Sequence, residues 1–349
     1  MNRHIRLLST AAVLLVLSAP AISAPVITAP VITKAAGGDD VRRQRLINKS
    51  YDVTADDKLQ IDNQFGNVVV STWDKEQITV DIEISARAST DERAQDIINR
   101  IDVKDGKDGH TVWFKTKVDD IHNGDRNKNR SNENDRSFYI DFVIHMPASN
   151  RLSIENSFGK TEIPAFKGLV TLTSKFGSLN TGKLDNVDQI DVEFGKAYIT
   201  SVNNGKVSFK FNKESRIGRV DGSVRISSEF SQNVQIGIAD DISDLQLSES
   251  YSGVRLVVAK DLSAEFEVHT SFGHFNNESD FEIDEHKEDK DDYGPHFDKD
   301  YSGKAGDGKG KIKIKSSFGT VRLSHSGSGR DGDDDDDDKD KGKDKEKEG

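Results

Sequence analysis

A Phe-Gly pair returns along this chain at an interval too short for any repeat that contains a helix pair. The segment "IENSFGKTEI" at 154–163 is followed by "LTSKFGSLNT" and then by "IDVEFGKAYI". Aligned on these pairs, nine segments begin at Lys58, Arg151, Leu169, Val187, Asn204, Ser223, Asp244, Glu265 and Lys311. The consecutive spacings from Phe158 to Phe272 are 18, 18, 17, 19, 21 and 21 residues. Helical repeats need roughly 33 residues or more. At about 3.3 Å per residue, an 18-residue turn has a perimeter of about 60 Å, which suits two or three short strands joined by corners.

The column pattern says which side chains point inward. Position 4 is aliphatic in every copy: Ile61, Ile154, Leu172, Ile190, Val207, Ile226, Leu247, Val268 and Ile314. Position 2 is apolar except at Asp188 and Gly205, and position 6 is mostly small or polar. Position 8 is aromatic throughout: Phe65, Phe158, Phe176, Phe194, Phe211, Phe230, Tyr251, Phe272 and Phe318. In one strand, positions 2, 4, 6 and 8 share a face, so the rings are expected to form an interior ladder beside the aliphatic one. Position 9 is Gly in six copies and Asn212, Ser231 or Ser252 in the rest, a set expected to supply the bend.

The predicted fold is therefore all-β: a right-handed single-stranded β-solenoid, or β-helix, of about eight coils, preceded by a β-rich N-terminal region with one short helix. The expected divisions are a signal peptide at 1–24, a linker at 25–45, the N-terminal region at 46–150, the solenoid at 151–325 and a disordered acidic tail at 326–349. Coils are expected to stack in sequence order about 4.8 Å apart. The longer gap of 46 residues between Phe272 and Phe318 reads as an acidic loop, 276–310, inserted into one coil.

In the N-terminal region Ile78, Val80, Ile82 and Ile84 alternate with polar residues, as do Phe138, Ile140, Phe142 and Ile144; Thr111 to Val118 reads as another strand. Between them "STDERAQDIINRI" offers Ser89 and Glu92 as a capping box, with Ala94, Ile97, Ile98 and Ile101 on one helix face. Asp119 to Arg136 reads as a long polar loop. Trp73 and Trp113 are expected at buried or half-buried strand positions.

Residues 1–24 carry Arg3 and Arg6, an apolar run from Leu7 to Leu17, then "SAPAISA", the layout of a secretory signal peptide. The expected location is therefore exported: periplasm, outer surface or extracellular. No later stretch has the roughly 20 apolar residues of a membrane-spanning helix. With no cysteine, disulfides, thiol catalysis and Cys-ligated metals are excluded. The net charge of -12 is concentrated in two places. Residues 276–300 hold 11 acidic and 3 basic side chains, and residues 326–349 hold 11 and 6. The remainder is close to neutral and has no field to attract nucleic acid.

Candidate chemistry is sparse. A polysaccharide-degrading solenoid would need carboxylates clustered on one outward face of adjacent coils. Outward positions 3, 5 and 7 give Ser153, Glu155 and Ser157, then Thr171, Thr173 and Lys175, then Gln189, Asp191 and Glu193, with no repeating acidic column. No catalytic residue and no cofactor are assigned. "DKDYSG" places Asp298, Asp300 and Ser302 like the opening of a calcium loop, but its twelfth position is Lys309, where a bidentate Glu is needed. His286 and His296 lie in the same acidic stretch. A solubilising role for that stretch is the alternative to calcium.

"KLQIDNQFGNVVVSTWDKEQITVDIEI", followed by "RLSIENSFGKTEI" and a train of such coils, resembles the "putative adhesin" family of bacterial envelope proteins over residues 46–325. The resemblance implies a β-solenoid, a non-enzymatic role in adhesion or surface-polymer or glycan binding, and no catalytic residues to carry over. A periplasmic structural or stress-linked protein, or a solenoid enzyme, are the alternatives.

Overall fold

The computed structural model describes residues 41–119, 138–286 and 297–325, with the backbone of a strand at Ile32–Lys34. The signal-peptide reading, most of the 119–136 loop, the middle of the acidic insertion and the tail at 326–349 lie outside the described residues. What is described is almost entirely strand, in a repetitive and largely parallel arrangement consistent with a solenoid, with one helix, Asp91–Asn99.

Each repeat contributes three stretches that pair in parallel with their equivalents in the next. The first stretch is Arg151–Ser157, which lies against Val170 to Lys175. The second, after the Phe-Gly corner, is Lys160–Ile163, in register with Ser178 to Thr181, Lys196 to Ile199 and Glu214 to Ile217. The third is brief and is marked by Phe166, Leu184, Val202 and Val220, stacked in that order. Register converts the sequence columns into physical ones. All nine position-4 aliphatics stack directly on one another and are at most 2% exposed. Burying such a side chain stabilises by about 1.5–3 kcal/mol, so this column is the spine of the core.

Both failures of position 2 fall beside β-bulges. Pairing shifts between Val170 and Thr171 opposite Val187 and Gln189, so Asp188 is the extra residue. A second shift falls between Asn203 and Gly205, where Asn204 and Gly205 both have positive φ. A bulge lets one residue leave the period-2 pattern without flipping the rest of the strand.

Sequence order is broken at both ends of the stack. At the C-terminal end the strands Gly310–Ser317 and Thr320–His325 sit between the repeat of Asp244–Ser250 and that of Ala264–Ser271. The stack expected in sequence order is thus corrected: the chain skips a slot, forms the outer repeat, then returns to fill the gap. Nor is the stretch at 276–310 simply a loop. It includes Asp298–Ala305, which pairs antiparallel with Ala264–Ser271 and covers the outer edge of that repeat. At the N-terminal end Lys58–Gln64 lies between Thr111–Val118 and Arg151–Ser157, again out of order. Antiparallel strands Val41–Asp52 and Gln77–Ala88 continue the sheet there. Both ends are closed by pairing against the run of the repeats, which hides edges that would otherwise template aggregation.

The helix begins one residue later than the capping-box reading. Thr90, not Ser89, is the N-cap, and its hydroxyl accepts from the backbone N–H of Arg93. Ala94, Ile97 and Ile98 face inward, while Ile101 belongs to the following strand, Ile101–Asp108. Nearby, the buried Asp57 carboxylate accepts from Thr54 N, Lys107 Nζ and His110 Nδ1, each at 2.9 Å. Burial alone would raise its pKa, but these bonds outweigh burial and hold it down at about 2.

Candidate interaction surfaces

The aromatic column is on the outside. Phe176, Phe194, Phe211, Phe230, Tyr251, Phe272 and Phe318 are 47–51% exposed, which overturns the expectation of an interior ladder. The reason lies in the backbone: every position-8 residue has φ between 49° and 65°. A residue in the left-handed region between two extended stretches turns the strand and rotates its own Cβ away from the inward series. The core face therefore ends at position 6, where Asn63, Asn156, Ser174, Val192, Phe209 and Ser228 are buried.

The Phe-Gly pair exchanges its expected roles as a result. The aromatic residue makes the bend, and the glycine allows close approach. A Cβ built on Gly159 would lie 1.7 Å from Gly66 O, and one on Gly177 would lie 1.9 Å from Gly159 O. No side chain fits where these glycine corners nest. In the later repeats the glycine is replaced by a hydrogen-bonded series. Gly195 N donates to Asn212 Oδ1, Asn212 N to Ser231 Oγ, and Ser231 N to Ser252 Oγ. The series ends on Glu249, which accepts from Ser252 N at 2.7 Å and from Ser316 Oγ at 2.5 Å. Burial raises the Glu249 pKa, partly opposed by these two bonds. Gly319 leaves the space its carboxylate occupies.

The rings form one continuous stack, in the order Phe65, Phe158, Phe176, Phe194, Phe211, Phe230, Tyr251, Phe318, Phe272. Centroids are 4.8–5.2 Å apart and planes 2–10° from parallel. Phe297 closes one end face to face at 4.5 Å, and Phe138 meets Phe65 edge-on at the other. Both faces of each interior ring are covered, so the surface consists of ring edges. That geometry excludes sugar stacking on ring faces and leaves an apolar stripe for another apolar surface.

A second feature runs down the outward face of the first stretches. Ser208, Ser227 and Ser248 stack in register, and the row continues through Lys315, His269 and Asp300. Beside it runs Lys206, Arg225, Gln246 and Lys313. These rows border two adjoining hollows of ≈ 430 and ≈ 650 Å³ that share Gln246 and Ser248. Arg225 Nε donates to Gln246 Oε1 at 3.1 Å and Lys313 pairs with Glu267 at 2.8 Å. Lys206 and Lys315 make no ion pair among the described residues. The groove is open and polar, its hydroxyls and cations interleaved with Asp191, Glu229, Glu267 and Asp300.

Asp300 and Ser302 line the end of this groove, and Asp298 shares their face of the strand Asp298–Ala305. Asp298 Oδ1 accepts from Ser271 Oγ at 2.6 Å, Asp300 Oδ1 lies 2.8 Å from His269 Nδ1, and Ser302 Oγ lies 2.6 Å from His286 Nε2. A straight strand spaces alternate residues about 6.6 Å apart. The three are therefore strung along an edge, and no group of three acidic or His donors converges among the described residues. Trp73 and Trp113 are half-buried strand residues as expected; their Nε1–H groups donate to Gln77 O and Asp108 Oδ2. No described helix is long and apolar enough to cross a membrane.

No family model matches the chain, and no curated protein matches it in sequence. Solved structures give distant likenesses. One is a "putative adhesin" from Bacteroides fragilis, 13% identical with a TM-score of 0.40, covering 80% of this chain and 96% of that one. Another is a "putative cell adhesion protein" from Clostridium sporogenes, 12% identical with a TM-score of 0.26, covering 80% and 98%. A third, a "putative lipid binding protein" from Parabacteroides distasonis, is 8% identical with a TM-score of 0.23 and covers 80% and 96%.

Proposed function

We propose that this is a non-enzymatic, exported envelope protein, adhesin-like, whose right-handed solenoid of about eight coils presents an elongated surface for binding a surface polymer or glycan. The observation that carries the reading is the polar groove along stacked first stretches, where the row of Ser208, Ser227 and Ser248 runs beside that of Lys206, Arg225 and Lys313. Its chemistry repeats at the strand spacing of about 4.8 Å, close to the length of one sugar unit in an extended chain. Lys206 and Lys315, without an ion pair among the described residues, favour polymers that carry carboxylate or phosphate groups.

The test is a binding screen of the purified chain against anionic and neutral polysaccharides and whole envelopes. Binding to the anionic members that is lost in the Lys206→Glu, Lys315→Glu double variant at unchanged thermal stability supports the reading. Binding that ignores those substitutions, or none to any member, rejects it. Calcium held at Asp298, Asp300 and Ser302 is a separate proposal, dropped if calcium leaves the melting temperature unchanged.

A further inference from the structure

We propose that the ring stack is the contact between two copies of this chain, related by a twofold axis that crosses the stack between Phe194 and Phe211. The first argument is area. Seven rings are close to half exposed. At about 100 Å² of free ring surface each, they present about 700 Å² per copy; the six that meet a partner ring about this axis, all but Phe272, bury about 1,200 Å² in a pair, which is within the size range of a stable, specific interface. An apolar stripe of this size is larger than soluble monomers ordinarily leave bare.

The second argument identifies the occupant. The residues just before the rings form their own row alongside the stack, in the order Gln64, Ser157, Lys175, Glu193, Lys210, Glu229, Ser250, Ser317. A twofold axis lying in the contact plane and perpendicular to the stack runs the two copies antiparallel, with like rows facing each other. Centred between Phe194 and Phe211, it sets Glu193 against the partner's Lys210 and Lys175 against the partner's Glu229. Both pairs recur by symmetry, and Ser157 and Gln64 meet only serines.

The row on the other side of the stack obeys the same operation. There Lys160, Ser178, Lys196, Glu214, Asn233 and Gly253 follow one another. Lys196 then faces the partner's Glu214, Ser178 the partner's Asn233 and Lys160 the partner's Gly253. Neither row brings like charges together. Moving the axis by one half-rung, onto Phe194, would face Lys175 with the partner's Lys210 and Glu193 with itself. Other arrangements also keep like charges apart, but the antiparallel pair centred between Phe194 and Phe211 makes the most opposite-charge contacts, three and their symmetry mates, and charge favours it on that ground. The charges are also free to re-pair: Lys175–Glu155 and Lys210–Glu229 are exposed contacts of 3.7 Å, and Glu193 has no ion pair among the described residues.

The test is sedimentation equilibrium of the full chain, without added polymer, so its outcome is independent of the binding reading above. The native chain is expected to dimerise at concentrations on the order of 10 µM. Glu193→Lys alone places like charges at both symmetry-related contacts and should weaken the dimer about tenfold. Adding Lys210→Glu restores opposite charges across the axis while leaving the Lys175 pair intact, so the double variant should regain native affinity. A chain that stays monomeric at about 100 µM, or a dimer indifferent to the single reversal, or a double variant no better than the single one, overturns the proposal. Melting temperatures of all three chains control for folding.

Discussion

Replacing Phe194 by glycine should leave a more stable protein than replacing it by alanine, the reverse of what an inward strand position would show. Phe194 has φ of 54° and stacks on Phe176 at 4.9 Å and Phe211 at 4.8 Å. Either substitution removes both stacking contacts, at about 0.5–1.5 kcal/mol each. Either also removes the buried half of the ring, about 100 Å² or about 2.5 kcal/mol at 25 cal/mol per Å², an upper estimate. The common loss is therefore about 3.5–5.5 kcal/mol. The two variants then differ through the backbone. Alanine keeps the left-handed strain that glycine does not have, worth about 1 kcal/mol in favour of glycine, net of its greater freedom when unfolded. In an extended strand glycine is instead worse than alanine by about 0.5–1 kcal/mol. Urea unfolding of both variants in dilute solution, compared at equal m-value, reads the sign directly. An alanine variant as stable as the glycine variant, or more so, would refute the placement of the bend on the aromatic residue.

Gly177→Ala should be severely destabilising because its Cβ would fall 1.9 Å from Gly159 O, whereas Gly253→Ala, with nothing within 4 Å, should be nearly neutral; thermal melts of the pair check this. Glu249 has a folded-state pKa raised by burial, so its contribution is most favourable at low pH and is lost as pH rises through that value. The melting temperature of Glu249→Gln relative to the native chain should therefore climb between pH 4 and pH 7.5. A constant or falling difference would show that the carboxylate is not desolvated. Asp57 behaves in the opposite sense: held down at about 2, it contributes stability above its unfolded pKa that is lost as pH falls through about 2. Asp57→Asn should be destabilised most above pH 4, and the gap should narrow in acid; equal destabilisation across the range would contradict the bonding described.

The repeat, the strands and the aliphatic spine were legible in the sequence because period-2 alternation and an 18-residue spacing leave few alternatives. Failure began at one residue. Extrapolating alternation from position 4 to position 8 assumes extended backbone throughout, and a single positive φ reverses the face. A signal was available: position 4 drifts among Ile, Leu and Val as cores do, while position 8 is never aliphatic. Only a stack of planar rings demands that. The interleaved C-terminal repeat was not legible, because Glu265 to Ser271 and Lys311 to Ser317 carry the same pattern and either satisfies the slot beside Asp244–Ser250. The polar groove was hidden for a related reason. Its serines, lysines and arginine look like solvated strand faces until register lines them up.

Phe209 and Phe211 stand two residues apart on one corner, the first 0% and the second 47% exposed. Hydroxyl-radical footprinting of the Glu193→Lys chain, in which self-association is weakened, tests the outward aromatic column with a single peptide. Phe211 should be oxidised several-fold faster than Phe209, with Phe176 and Phe230 behaving like Phe211 and Phe142 behaving like Phe209. Equal protection of Phe209 and Phe211 would return the rings to the interior and remove the surface on which the account rests.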